Sequence, residues 1–178
     1  MGLTTFGVVS AAGVTSTWDP ASTIPMATGE PGTIQVYKNS SGEMSLVRVI
    51  QMGNTSCTAG QVLIQNHATL KGYSRRVAGT ADSGGIPSGI SVAAIGSHKC
   101  GYEYCGGYAI ADQSQDCASG EYLMLSGSTA GQLTNDRAST FHSNTAWGVT
   151  SGFHVVGVLR GVGTAACAAS IQMLGLWG

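Results

Sequence analysis

Cys57-Thr-Ala-Gly60-Gln-Val-Leu63 returns sixty positions later as Cys117-Ala-Ser-Gly120-Glu-Tyr-Leu123. Each copy follows an alternating apolar stretch and a short polar loop, and each glycine is followed by a new apolar run. Glycine supplies the positive φ that a tight turn between strands needs. Both copies therefore predict a strand, a turn and a second strand.

The likeness between the two copies extends beyond this phrase. Upstream, Ile50 matches Ile110. Downstream, further glycine and apolar positions match at a spacing that is one residue shorter than sixty. The downstream pairs are Gly72 with Gly131, Gly89 with Gly148, and Ile90 with Val149. One interpretation is an internal duplication, with similar halves over 44–95 and 104–154. The other is that glycine-punctuated strands resemble one another by geometry alone.

Charge is scarce in this chain. Charged residues make up 10% of the 178 residues, against about 25% in typical soluble proteins. The formal net charge is −1, so little repulsion keeps copies apart. Burial of a broad, uncharged surface against partners would explain this composition. The composition therefore predicts that the chain is part of an assembly. The alternative is a compact β protein whose hydroxyl and amide groups keep it soluble.

The pattern of strands predicts an all-β fold. No stretch keeps a period of 3.6 residues, and turn residues recur every 8 to 15 positions. We expect a small antiparallel barrel or sandwich, without helical crossovers. Residues 165–174 are rich in alanine, which favours helix, but we interpret them as a buried strand. The predicted strands are 32–38, 44–52, 61–66, 72–78, 89–96, 101–111, 121–125, 131–135, 145–150, 153–160 and 165–174.

The chain divides into an extended N-terminal arm over 1–31 and a single β domain over 32–178. The arm has no steady apolar period, and Trp18 is its one tryptophan. It is predicted either to lie along a neighbour, with Trp18 as an anchor, or to pack across its own barrel. No basic region precedes the apolar residues 6–14, so a secretory signal peptide is not expected. Residues 161–178 are too weakly apolar for a membrane span.

The cysteines predict no metal or disulfide framework. Five cysteines are an odd number, so reduced thiols are expected in the absence of an export signal. His98, Cys100 and Cys105 could supply soft ligands to zinc, but strand alternation places 98 and 100 on one face and 105 on the other. Buried thiols and a surface histidine are the better interpretation.

Catalytic and cofactor motifs are also missing. Gly161-Val-Gly163 superficially matches a dinucleotide fingerprint, but the chain ends too soon to supply the helix and the acidic residue. Serine, histidine and aspartate are present, but nothing places them together, and no nucleophile elbow occurs. We expect no catalytic residues, no cofactor and no enzyme activity.

Two other clusters are predicted to be structural. Lys71, Arg75 and Arg76 are expected to form the solvated face of a strand edge rather than a nucleic-acid site. Tyr102 and Tyr104 share one face of a strand, and core or interface packing is a better interpretation than a ligand platform. The following Gly106-Gly107 allows a bulge that bends this strand.

The order of phrases along residues 57–160 resembles the head decoration, or capsid cement, proteins of tailed bacteriophages. The same family pattern includes a Gly-Ile strand, an aromatic Gly-Tyr strand, a turn before another strand, and a closing Gly-Val strand. In this chain the phrases are Ser88-Gly-Ile-Ser-Val-Ala-Ala-Ile95, Gly101-Tyr-Glu-Tyr104, Gly107-Tyr-Ala-Ile-Ala111, Asp116-Cys-Ala-Ser-Gly-Glu-Tyr-Leu-Met124, Thr129-Ala-Gly-Gln-Leu133, Trp147-Gly-Val149 and Val155-Val-Gly-Val-Leu-Arg160.

This resemblance implies a mechanical function. A decoration protein binds the outer surface of the expanded capsid and stabilises the shell, usually as a small oligomer. It implies the major capsid protein and further copies of this chain, in a trimer or dimer, as partners, and no nucleic acid or membrane. Such a protein is made in the host cytoplasm and is then located on the outer capsid surface of the virion. Trp18 and Trp177 are the expected interface anchors. The alternatives are a major capsid, tail-tube or spike subunit, or a carbohydrate-binding β module.

Overall fold

The structure is a computed structural model that describes residues 31–39, 41–66, 73–82, 86–135, 155–164 and 167–174. Over these ranges the chain forms β-strands and one short 3-10 helix, so the all-β prediction is confirmed. None of the helical structure in these ranges is long and apolar enough to cross a membrane. The strands are β1 (Ile34–Lys38), β2 (Met44–Met52), β3 (Val62–Gln65), β4 (Ser74–Val77), β5 (Pro87–Ser91), β6 (Cys100–Asp112), β7 (Tyr122–Leu125), β8 (Leu133–Thr134), β9 (Val155–Leu159) and β10 (Ala168–Met173), and the 3-10 helix is Thr80–Asp82.

The strand prediction agrees closely with these elements. Each of the ten strands overlaps one of the eleven predicted segments, although β5 ends at Ser91 and the segment predicted there continued to residue 96. The remaining segment, 145–150, lies outside the described residues, as does the arm up to residue 30. The alanine-rich segment forms β10 rather than a helix, because Ala169, Ile171 and Met173 alternate into the core while Ala168 and Gln172 face outward.

Five strands close into a first ring. Its members are β2, β4, β3, β5 and the first half of β6, and β6 pairs with both β5 and β2. Among the named strands of the described chain, every pairing is antiparallel except that of β2 with β4, which is parallel over Gln51 and Met52. The antiparallel barrel that we predicted is therefore a mixed one at this point. Within the part of the chain that the structure describes, strand β1 pairs with β2 alone and forms an edge.

The second half of β6 begins a second ring, which continues through β10, β9, β7 and β8. A parallel bridge between Gln113 and Leu133 closes it. The two rings share β6, which carries the predicted bulge: its register with β2 shifts between Leu46 and Val47. Gly107 has φ +76° there, and a β-carbon would collide with the carbonyl oxygen of Met44. The bulge prediction is confirmed.

The repeated phrase occupies the same place in both rings. Cys57 forms an antiparallel bridge with Ile95, and Cys117 forms one with Gly163. Gly60 and Gly120 have φ +83° and +87°. Their amides donate to the carbonyl oxygens of Ser91 and Leu159, at 2.9 and 2.8 Å. The predicted strand, turn and strand is therefore present in both copies.

Strand register corrects the predicted counterparts downstream. Gly89 faces Leu63, and Gly157 faces Leu123. A β-carbon on either glycine would lie 2.6 Å from a carbonyl oxygen of the adjacent strand. Gly157 thus takes the place that we assigned to Gly148, which lies outside the described residues. Val158 likewise takes the place assigned to Val149.

The upstream match is also displaced by one residue. Met52 faces Arg75 in the first ring, and Gln113 faces Leu133 in the second. Ile50 therefore corresponds to Ala111 rather than to Ile110. The loop that leads from the upstream strand, β2 or β6, to the repeated phrase is one residue shorter in the second ring. This difference displaced the sequence match by one position. The common strand order is observed, whereas an ancestral duplication with halves at 44–95 and 104–154 stays a prediction.

Two clusters of buried residues form the core. The smaller one lies within the first ring and consists of Ile50, Met52, Cys57, Leu63 and Ile95. The larger cluster combines residues from the outer face of the first ring with residues that line the second ring. The two rings consequently pack against each other through one continuous apolar core.

Candidate functional site on the outer face of the second ring

A row of four cross-strand neighbours marks the outer face of the first ring. Val47 faces Tyr104, Tyr104 faces Ile90, and Ile90 faces Val62. All four side chains are buried and belong to the larger core cluster, together with residues of the second ring. We call these four residues the first-ring row. In the described chain, the first-ring row is thus covered by packing within the molecule.

The second ring has the same row in the same register. Tyr108 faces Gln172, Gln172 faces Val158, and Val158 faces Tyr122. We call these residues the second-ring row. Unlike its counterpart, this row is open: Tyr122 is 46% exposed, Gln172 is exposed, and Tyr108 and Val158 are half-buried. Equivalent positions are therefore core in one ring and surface in the other.

The residues beside the second-ring row extend the open face. Ile110 faces Ser170 across β6 and β10 and is 39% exposed. Leu174, which follows β10, is exposed as well, and strand alternation places it on the same side as Gln172. An open face with several large apolar side chains is typical of an interaction surface rather than of a solvated β-sheet.

A shallow polar cleft borders this face. It has a volume of about 260 Å³ and is lined by Glu43, Tyr108, Arg160, Gly161 and Ser170. Arg160 pairs with Glu43, and its guanidinium carbon lies 5.7 Å from the centre of the Tyr108 ring. The Tyr108 hydroxyl lies 3.0 Å from the Ser170 hydroxyl. Because these polar groups already contact one another, the cleft neutralises charge at the border of the face.

The carboxylate of Glu103 joins two arginines inside the first ring, an arrangement that sequence reasoning missed. Arg48 Nη2 lies 2.7 Å from Glu103 Oε1, and Arg75 Nε lies 3.1 Å from both carboxylate oxygens. Ser88 donates to the same carboxylate at 3.2 Å. Burial lowers the pKa of Arg75, and Glu103 opposes that shift. We call Arg48, Arg75 and Glu103 the ion network.

The prediction that Arg75 belongs to a solvated strand edge was wrong. Its side chain has no exposed surface, whereas Arg76, on the other side of β4, is partly exposed and pairs with Asp82 at 2.6 Å. Strand alternation does separate adjacent residues in this way. The sequence carried no sign, however, that a carboxylate 28 positions away would lie opposite Arg75. Lys71, the third member of the predicted cluster, lies outside the described residues.

The candidate zinc ligands do not form a centre. His98 is exposed and occupies a turn with φ +59°, whereas Cys100 and Cys105 are buried. Burial raises the pKa of Cys105 to about 11 and also raises that of Cys100. Within the described ranges, no three His, Cys, Asp or Glu side chains are grouped to hold a metal ion. The five cysteines, all within the described ranges, carry free thiols.

The tyrosines of β6 and the tryptophans have different outcomes. Tyr102 and Tyr104 are both buried, so the packing interpretation is confirmed. Burial raises the pKa of both hydroxyl groups. The predicted anchors Trp18 and Trp177 lie outside the described residues, and their role at an interface stays a prediction.

Comparison with known proteins gives a structural likeness. No protein-family model matches the chain, and no curated protein matches it. The chain is similar to a solved structure, the N base of the head fiber gp8.5 of bacteriophage phi29, with a TM-score of 0.47 and 11% sequence identity. The likeness covers 74% of this chain and 97% of that one.

Proposed function

We propose that this chain is a virion structural protein of the decoration type, which binds the outer surface of a phage capsid and stabilises the shell. The observation that carries the proposal is the open face of the second ring. Tyr122 and Ile110 are exposed on it, although the equivalent row of the first ring is core. The resemblance in sequence across residues 57–160 supports the same function.

The physical chemistry of the surface fits a shell protein. A chain with 10% charged residues and a net charge of −1 can bury broad areas without desolvating many charges. Such a protein is present in many copies on a symmetric shell, so contacts that are weak singly become strong through multivalency. The proposed partners are the major capsid protein and further copies of this chain. The proposed role is mechanical and requires no catalysis, cofactor, nucleic acid or membrane.

The proposed attachment uses the arm as well as the ring surface. The described chain begins beside the first ring, where the amide of Gly32 donates to the carbonyl oxygen of Val49 at 2.7 Å. Among the described strands, the next strand, β1, is paired on one side only. From there, Trp18 would contact a capsid subunit or a neighbouring copy, and Trp177 would add a second aromatic anchor.

A binding experiment with capsids tests the function. Expanded and unexpanded capsids of the virus whose genome carries this sequence would be prepared without this protein and mixed with the purified chain. We expect saturable cosedimentation with expanded capsids, extra density on the outer surface in electron micrographs, and a higher temperature of capsid rupture. Absence of binding to both capsid forms would refute the proposal. Density in the tail or inside the shell would refute the decoration role.

A further inference from the structure

We propose that strand β1 accepts a strand from the N-terminal segment of another copy, so that copies of this chain exchange their arms. The accepting edge consists of Ile34, Val36 and Lys38, which we call the β1 edge. The donated strand comes from the proline-free residues 3–18. This inference deepens the proposed function, in which the arm contacts a capsid subunit or a neighbouring copy, and rests on it in expecting an assembly.

The β1 edge presents backbone groups that point away from β2. Val49 donates to the carbonyl oxygen of Thr33 at 2.9 Å, and Asn39 donates to that of Glu43 at 2.9 Å. Hydrogen-bonded pairs alternate along an antiparallel ladder, so the odd-numbered residues of β1 bond to β2. The amides and carbonyl oxygens of the even-numbered residues therefore face outward, where no described strand pairs with them. Such an edge is a template for an additional strand.

An apolar patch lies beside the β1 edge. Ile34 is 48% exposed, and Met44, which faces Lys38 across β1 and β2, is 55% exposed. Val36 and Leu46 face each other between them and are half-buried. These side chains share one face of the sheet, because paired residues and residues two apart in a strand point the same way. A strand added at the edge would cover the patch with its own alternate side chains.

The sequence of residues 3–18 suits a donated strand. This stretch is rich in threonine and valine, which favour strands, and contains no charged residue. Phe6 and Val8 would point to one face of such a strand, and so would Val14 and Trp18. The stretch can therefore pack on the apolar patch without desolvating a charge and without a cation opposite Lys38.

A direct hairpin within the same copy does not fit the β1 edge. The chain turns at Pro31 and Gly32, where Gly32 has φ +95°. A two-residue hairpin through this turn would direct its hydrogen bonds to Thr33 and the odd-numbered residues of β1. Those residues already bond to β2. The donor must therefore reach the edge from farther along the sequence.

The connection between the donor and β1 favours another copy as the acceptor. Residues 19–32 form this connection and include Pro20, Pro25 and Pro31. Proline-rich connections are extended and semi-rigid, at about 3.1 Å per residue, so this one spans about 43 Å. That length is comparable to the diameter of a domain of this size. Folding it back onto the same copy would need a long loop of a kind that is uncommon in compact domains, whereas exchange of an identical element between copies costs little.

The test measures the solution mass of the full chain by light scattering in reducing buffer over a concentration series. We expect the wild type to form an oligomer. Val36→Pro removes the outward amide hydrogen at the centre of the β1 edge and should raise the dissociation constant at least about tenfold. Val36→Thr keeps that hydrogen and is the matched control, which should assemble like the wild type. Circular dichroism checks that each variant keeps its fold.

A second variant allows the two halves of the contact to be tested together. A chain that lacks residues 2–18 keeps the β1 edge but has no donor, so we expect it to be monomeric. The Val36→Pro chain keeps the donor but has a blocked edge. Mixed at a concentration at which each alone is monomeric, the two should form a one-to-one complex, because one supplies the arm and the other the edge.

A monomeric wild type, unchanged assembly of Val36→Pro, or a mixture without a complex would each overturn the proposal. Self-association of the chain that lacks residues 2–18 would also overturn it and would indicate that two β1 edges pair with each other. No capsid is present in these measurements. An oligomer that does not bind capsids would refute the proposed function alone, and a monomer that binds them would refute this inference alone.

Discussion

Removal of the Glu103 charge should strongly destabilise the first ring. The carboxylate is fully buried and accepts hydrogen bonds from both arginines of the ion network. Glu103→Gln keeps the size and polarity of the side chain but removes the negative charge that faces both guanidinium groups. An opposite pair at 4 Å is worth about 4 kcal/mol at an effective dielectric constant of about 20. Two such attractions are lost, and the repulsion between the arginines remains.

Relaxation and partial solvation of Arg48, whose side chain is 13% exposed, reduce this loss. We therefore expect a decrease in the free energy of unfolding of about 3–5 kcal/mol, as for other buried pairs that lose one member. The second ring shows what the same positions look like without charge. Ala109 faces Ile171 there as Arg48 faces Glu103, and Leu133 takes the place of Arg75.

The triple variant that carries these apolar residues, Arg48→Ala, Arg75→Leu and Glu103→Ile, is the matched control. It removes all three desolvation costs together but leaves a cavity where Arg48 becomes alanine, so we expect it to be more stable than Glu103→Gln. Urea unfolding at one protein concentration, followed by circular dichroism, measures each free energy. The reasoning is refuted if Glu103→Gln costs less than about 1 kcal/mol, or if the triple variant is less stable than Glu103→Gln.

Three further changes test other parts of the molecule. The Arg76 guanidinium lowers the pKa of Asp82, so this pair stabilises the fold above the ordinary aspartate pKa, and its contribution is lost as pH falls through the lowered value. At pH 7, Asp82→Asn should therefore lower the free energy of unfolding by no more than about 1 kcal/mol. The melting temperatures of the variant and the wild type should differ at pH 7 and converge in acid. Gln113→Met should raise the free energy of unfolding by about 1–3 kcal/mol, because both amide atoms are buried without a partner among the described residues. A loss of stability in urea unfolding would show instead that the amide is hydrogen-bonded. Trp18→Ala should weaken capsid cosedimentation by at least about tenfold while Trp18→Phe largely preserves it, and unchanged binding of the alanine variant would contradict the anchor role.

Local patterns were sufficient to predict the strands. Gly60 and Gly120 mark turns because φ is positive at both, and apolar alternation identified the strands on either side. The same logic found β10 despite its alanines, since Ile171 and Met173 fall on one face. The bulge before Gly107 was also predictable, because two adjacent glycines interrupt a long strand. These features depend on neighbours in sequence.

Pairing between distant strands could not be predicted in this way. The parallel pairing of β2 with β4 places Arg75 within the first ring. That pairing brings the buried guanidinium of Arg75 to the carboxylate of Glu103. Composition indicated that an uncharged surface exists, but its position follows from register. Tyr122 and Val62 have the same place in their strands, and only the closure of two rings makes one of them surface and the other core.

The shared strand β6 has a mechanical consequence. Two domains that are joined by a flexible linker can move relative to each other, and an exposed linker is a preferred site of proteolysis. Here the thirteen-residue β6 supplies hydrogen-bonded edges to both rings, so no loop lies between them. A pulling force applied to one ring would load the ladder of the other, and the two should rupture as one unit. In a shell bound by such a protein, force would be transmitted through one rigid unit rather than through a flexible linker.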